Sequence, residues 1–189
     1  MALNGSPLSS GSAVAGVFSA SLANGGSLND IGPGIEFFKK LKEVGNFIPV
    51  QATPQTIASG QTPITIDWDY LNLAYAKEFP SAKIKTVIPA TGVYGAYYCQ
   101  AINATAPHPF AARLWQEFLY SDQGQLLWLK GFAHPALFQD LIKRKVVPPA
   151  LLKALPPASA YAQVRFANPK QLSDAKAKIA SEWPTKVGS

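Results

Sequence analysis

Ile64-Thr65-Ile66 alternates apolar and polar side chains as a strand does, and Asp67-Trp68-Asp69-Tyr70 follows at once. Pro63 admits an extended run after the helix-like segment that Ser59-Gly60 closes, and Val87-Ile88-Pro89 offers a second short strand further on. Helix and strand signals in alternation point to an α/β chain. In open α/β sheets ligands gather outside the carboxyl ends of strands, which makes Asp67 to Tyr70 the first candidate site. Strand alternation puts Asp67 and Asp69 on one face and Trp68 and Tyr70 on the other.

The 189 residues, 48% of them apolar, suffice for the core of one ordinary domain. A net charge of +6 suggests an anionic partner, but 15% charged residues is low for a nucleic-acid binder. Lys39, Lys40 and Lys42, then Lys83 and Lys85, then Lys143-Arg144-Lys145 are small clusters that read as solvated surface, so no nucleic-acid partner is expected. Cys99 stands alone, which rules out an intrachain disulfide and reads as a buried apolar thiol. His108 and His134 each precede a proline without His-x-x-x-His or Cys-x-x-Cys spacing, and no metal site is expected. The apolar stretch from Ala13 to Ala23 is too short to span a bilayer and reads as a core helix. Met1-Ala2-Leu3-Asn4 lacks a basic leader, so no signal peptide is read and the chain is expected to start mature or to start late.

Leu3 reads as a strand end, and Asn4-Gly5-Ser6-Pro7 as the turn toward Ser9-Ser10-Gly11-Ser12, which offers caps for a helix near Ala13 that Asn24-Gly25-Gly26 ends. Ile35, Phe37, Phe38, Leu41 and Val44 recur near helical spacing with lysines opposite, the pattern of an amphipathic helix stopped by Gly45. Thr53-Pro54 opens a short helix, and another is expected after Tyr70. Val93 to Ile102, with its glycine and crowded tyrosines, reads as an irregular strand passing a cavity. Pro107 and Pro109 set a strong helix, Ser121-Asp122 caps the next, and a final helix is expected from Ser173 toward Trp183. Trp115 and Trp128 lie on apolar helix faces and read as core.

Ser10-Gly11-Ser12, Asn24-Gly25-Gly26-Ser27, Pro33-Gly34-Ile35-Glu36-Phe37-Phe38-Lys39-Lys40-Leu41, Ile66-Asp67-Trp68-Asp69-Tyr70, Ala106-Pro107-His108-Pro109 and Phe118-Leu119-Tyr120-Ser121-Asp122-Gln123-Gly124-Gln125 occur in that order. The ordered set resembles the solute-binding proteins of ABC importers, in the family of iron(III), polyamine and aminoethylphosphonate binders. The resemblance runs from about Leu3 to about Pro135 and is to the C-terminal half of such proteins. It implies an α/β fold, a lobe of the type II periplasmic-binding-protein kind, with a short mixed sheet flanked by helices, extra C-terminal helices and the N-terminal lobe missing. Residues 1–90 would be the second-lobe core, 91–105 a hinge-like crossing segment, and 106–189 a C-terminal helical segment packed with the same domain.

The resemblance also implies a function: binding a small anionic, zwitterionic or cationic solute without chemistry, outside the cytoplasm, in partnership with an ABC permease. Ser10, Gly11 and Ser12 would hold an anion at a helix start, where free N–H groups and the helix dipole favour negative charge, although capping alone explains the same residue types. Asp67 or Asp69 would pair with an amine or a hard cation, Trp68 would stack on a cationic chain, and Tyr70 would donate a hydrogen bond, against a plain polar strand end. Tyr94 and Tyr97, in the crossing segment that also carries Tyr98, are the preferred solute contacts there, with packing the competing reading. Catalysis is not expected: no Gly-x-Ser-x-Gly elbow or Walker loop is present, and Asp67 with Asp69 alone is thin support for a hydrolase. No cofactor is implied. The alternative is a structural or protein-interaction domain that keeps half of the fold. In either case, with the N-terminal lobe missing, the apolar faces of residues 109–130 would need cover, which points to a homodimer, with exchanged C-terminal helices as one route.

Overall fold

The computed structural model describes residues 1–188 and divides them into two compact units. The first joins Met1–Ala96 to the return segment that begins at Pro157; the second is Tyr97–Pro156.

In the first unit, strand β1 (Ala2–Leu3) pairs in parallel with β2 (Thr65–Ile66), Ala2 opposite Thr65 and Leu3 opposite Ile66. Between them run helices α1 (Gly11–Ala23), α2 (Gly32–Glu43) and α3 (Pro54–Ala58). Helix α4 (Asp69–Glu78) follows β2, and β3 (Tyr94–Gly95) leads out of the unit. The second unit holds α5 (Pro109–Tyr120), α6 (Asp122–Lys130), α7 (Phe138–Lys143) and α8 (Pro149–Lys153). The chain returns through a 3-10 turn (Ala158–Tyr161), strand β4 (Arg165–Phe166) parallel to β3, and the long helix α9 (Pro169–Lys186). Among the described residues no helix is long and apolar enough to cross a membrane.

Helix α1 is the pillar of the first unit. It is apolar nearly all round, the signature of a helix buried on most sides, and Val14, Val17 and Phe18 are all inside. Two glycines set how closely its neighbours approach. A Cβ on Gly16 would lie 2.7 Å from the Leu3 side chain, so α1 rests directly on the β1–β2 pair, and one on Gly34 would lie 2.3 Å from the Val17 carbonyl, so α2 touches the α1 backbone. Helix α9 closes the core: Asn168 and Gln171 form a capping box, and Ala175, Ile179 and Trp183 recur on one face. Trp183 meets Phe38 and Phe47 at ring-centroid distances of 5.4 and 6.1 Å. The α2–α9 contact carries the Lys186–Glu36 ion pair at its edge.

Several expectations are corrected. The fold is mixed α/β, but instead of one mixed sheet it has two separate two-stranded parallel ladders among the described residues. Val87-Ile88-Pro89 forms no strand; Pro89 has no N–H to give a ladder, and Val87 is exposed. Only Tyr94–Gly95 of the run from Val93 to Ile102 is strand. Cys99 is exposed, not buried. Trp115 and Trp128 are exposed as well, because the buried face of α5 is the one that carries Leu119 and that of α6 the one that carries Gln125 and Leu129. Helix α9 begins four residues before the expected Ser173, at the Pro that follows the Asn168 cap.

Candidate functional site

The ends of β1 and β2 place Asn4 and Asp67 side by side. The Asn4 amide Nδ2 donates to Asp67 Oδ1 at 2.9 Å, and the Trp68 backbone N–H donates to the same oxygen at 2.7 Å. The Asn4 carbonyl accepts from two hydroxyls, Ser10 Oγ at 2.8 Å and Ser12 Oγ at 2.9 Å, which lie 2.8 Å apart. Gln51 Nε2 reaches Asn4 Oδ1 at 3.2 Å. Asn4 therefore ties the start of α1 to the end of β2 and to the loop before α3.

Ser10 is the N-cap of α1, its Oγ accepting from the Ala13 N–H at 3.4 Å. Both serine hydroxyls point to Asn4, so the capping role is realised and the hydroxyls are committed. The N–H groups of Gly11 and Ser12 have no acceptor among the described residues, as the first turn of any helix requires. A groove of about 340 Å³ lies beside them, lined by residues 7–11, Val14 and, from α9, Lys176, Ala177 and Ala180. A second cleft of about 220 Å³, beside Trp183, has no titratable side chain in its lining.

Asp67 is the electrostatic anomaly of this region. Its Oδ2 is buried with no hydrogen-bond partner among the described residues. Burial pushes its carboxyl above the usual range, against the lowering effect of the Asn4 and Trp68 hydrogen bonds. Tyr75 on α4 feels the same site: burial first, then the Asp67 and Glu78 charges, hold its phenol above the ordinary value. A group that donates a hydrogen bond or brings positive charge to Oδ2 would relieve the desolvation.

Asp69 does not share a strand face with Asp67. The strand stops at Ile66, Trp68 is the extended residue before the helix, and Asp69 opens α4, where its charge suits the helix dipole. The Tyr161 hydroxyl, arriving from the return segment, donates a short hydrogen bond to Asp69 Oδ2. Burial, with that bond and the Asp69 charge, raises the Tyr161 phenol far above its ordinary range.

Of the residues expected from sequence, Ser10, Ser12 and Asp67 are brought together through Asn4, with Gly11 at the helix start and Trp68 next to Asp67. Asp69 and Tyr70 lie in the first turn of α4. Tyr94 stacks flat on Phe18 of α1, with centroids 4.6 Å apart and planes 3° from parallel, a packing role. Tyr97 belongs to the second unit and is exposed there. Asn4, Gln51 and Tyr161 are additions. Asn4 follows a strand end just as Asp67 does, and that position was the available signal; Gln51 and Tyr161 gave none.

No group of three or more His, Cys, Asp and Glu side chains converges as a metal cage among the described residues. His108 precedes α5 as its N-cap, and His134 sets its ring edge-on to Phe138. No protein-family model matches the chain, and no curated protein matches it.

Proposed function

We propose that the chain is a lobe of an ABC-importer solute-binding protein, of the type II periplasmic-binding kind, which binds a small solute outside the cytoplasm and delivers it to a permease without chemical change. The observation that carries this reading is the meeting of two parallel strand ends, Asn4 and Asp67, with the N-terminus of α1. Ligands of open α/β folds gather at such carboxyl ends, and a helix start favours an anion.

In this reading the Gly11 and Ser12 N–H groups face an anionic group, and Ser10 and Ser12 hold the helix start in place through Asn4. Asp67 Oδ2 takes a donor from the solute, and Trp68 and Tyr70 supply its aromatic wall. Asp69 is a supporting residue rather than a contact, since Tyr161 occupies its Oδ2. The buried, unpartnered Asp67 oxygen favours a solute that carries an amine or another donor along with its anion.

Native mass spectrometry of the purified protein, followed by thermal shift with phosphate, putrescine and an aminoalkylphosphonate, tests the proposal. A co-purified small molecule, or a shift for one of these that Asp67→Asn abolishes, supports it. Absence of any solute and any shift removes it. A second reading, an interaction domain, is favoured by one observation: the second unit leaves Phe110, Leu114 and Trp115 in water.

A further inference from the structure

The second unit has a small core. Leu129, Leu141 and Val147 are its buried apolar cluster, with Leu126, Phe138, Val146, Leu151 and Leu155 packed around them. Helix α5 contributes to the unit through Leu119: the Gln125 amide donates to the Leu119 carbonyl at 2.7 Å, and Gly124 lets α6 approach the Leu119 backbone. The rest of α5 is apolar on another side. Phe110, Leu114 and Phe118 recur at four-residue spacing and form a stripe, with Trp115 stacked on Phe118 at its flank. Phe110 is 79% exposed, Leu114 67% and Trp115 58%.

The other flank of the stripe carries Arg113 and Glu117. Neither forms an ion pair among the described residues, although they are spaced one turn apart; Arg113 instead sits over the Phe110 ring, 5.8 Å from its centroid. The order matters, because a cation placed N-terminal to the anion is the weaker arrangement within one helix. Between two antiparallel helices the same two residues can pair in either order. When two copies of α5 pair antiparallel about a two-fold axis, like flanks face each other, and Arg113 of each copy comes opposite Glu117 of the other. The charge pattern is self-complementary, as an interface between identical surfaces requires.

We infer that the α5 stripe is a homodimer contact, in which Phe110, Leu114, Trp115 and Phe118 of two copies pack antiparallel and Arg113 and Glu117 form two reciprocal ion pairs at the edge. The exposed fractions of these large side chains amount to roughly 400 Å² per copy. A pair would bury about 800 Å² in total, below the standard interface of about 1,600 Å², so the dimer is weak and concentration-dependent.

Sedimentation velocity of the full chain from about 5 to about 500 µM tests this, with the weight-average sedimentation coefficient expected to rise with concentration across that range. Leu114→Glu should leave a folded monomer throughout. Arg113→Glu should weaken association about 10-fold, because a carboxylate then opposes a carboxylate at both edges of the contact. The double exchange Arg113→Glu with Glu117→Arg should restore it, since the reciprocal pairs return with opposite sign. Circular dichroism of each variant confirms that helix content is kept. A wild-type monomer at the highest concentration overturns the inference, as does association that Leu114→Glu leaves intact or to which the charge exchange makes no difference. A chain that stays monomeric while an apolar dye binds the stripe leaves that surface open to water and equally overturns the homodimer.

Discussion

The Asn4 carboxamide and the Asp67 carboxylate face each other across the ends of β1 and β2, with Nδ2 2.9 Å from Oδ1. One parallel ladder of two residues thus sets the geometry of the candidate site. The partly buried carboxylate keeps one oxygen satisfied and the other without a partner among the described residues, which is an arrangement stability alone does not favour.

Asn4→Ala removes the side-chain donor to Asp67 while leaving the backbone carbonyl that holds Ser10 and Ser12. The carboxylate then has only the Trp68 N–H. A desolvated acceptor stripped of a partner costs about 1–3 kcal/mol, and urea unfolding at neutral pH should show that loss. A change below about 0.5 kcal/mol would mean that water replaces the amide freely.

The pH dependence has a definite sign. The folded Asp67 carboxyl is raised by burial above its unfolded value, so the folded chain binds the proton more tightly. Its contribution is therefore favourable in acid and is lost as pH rises from the unfolded value through the folded one. Asp67→Asn, which cannot ionise, should gain on the wild type across that window, by at most about 1.4 kcal/mol per pH unit, the slope for one proton. Asp30, Glu36 and Asp122, each held low chiefly by a hydrogen bond, act in the opposite direction in both proteins and cancel from the comparison. Paired urea titrations at several pH values read the difference.

Tyr161 and Asp69 make a second pH-sensitive link. With the phenol raised, the folded chain keeps its proton above the unfolded tyrosine value, so the link loses its contribution in strong base. Ultraviolet difference titration should show two tyrosines, Tyr75 and Tyr161, ionising late, with Tyr161 the one that Asp69 controls. Asp69→Asn should bring it back toward the rest, and Tyr161→Phe should delete it while destabilising the return segment by about 1–2 kcal/mol.

Much of the helical framework was legible because its signals are local. Ser10 before α1, Thr53-Pro54 before α3 and Ser121 before α6 are caps whose partners lie three residues on. The strands were harder, since two residues cannot display a period. Val87-Ile88 reads as strand by composition yet pairs with nothing in the ladders described. The site residues that sequence reasoning missed act at a distance: Gln51 meets Asn4 across 47 positions and Tyr161 meets Asp69 across 92. Trp115 was misread for a different reason. Amphipathic spacing identifies an apolar face but carries no information about what covers it.

Gly34 and Gly11 should respond oppositely to alanine. A Cβ at Gly34 would sit 2.3 Å from the Val17 backbone carbonyl, which cannot swing aside as a side chain can, so α1 and α2 must separate. Overpacking of that kind costs about 1–3 kcal/mol or more. Gly11 has nothing within 4 Å of the added atom and no positive φ, so alanine there should be neutral or stabilising by up to about 1 kcal/mol. Thermal unfolding of the two variants decides between them.

The serines at the start of α1 separate scaffold from contact. Their hydroxyls are spent on the Asn4 carbonyl, so Ser10→Ala should cost about 1 kcal/mol as a lost cap even without any solute. An anion at this helix start would meet instead the Gly11 and Ser12 N–H groups, which survive the substitution, and the Lys176 ammonium across the groove. Phosphate at a hundredfold excess over its Kd should stabilise the wild type by about 2.7 kcal/mol. That increment should persist in Ser10→Ala, measured from its lower baseline, and should fall in Lys176→Glu, whose own stability changes little because the residue is exposed. If phosphate stabilises Lys176→Glu as much as the wild type, the anion does not sit between α1 and α9.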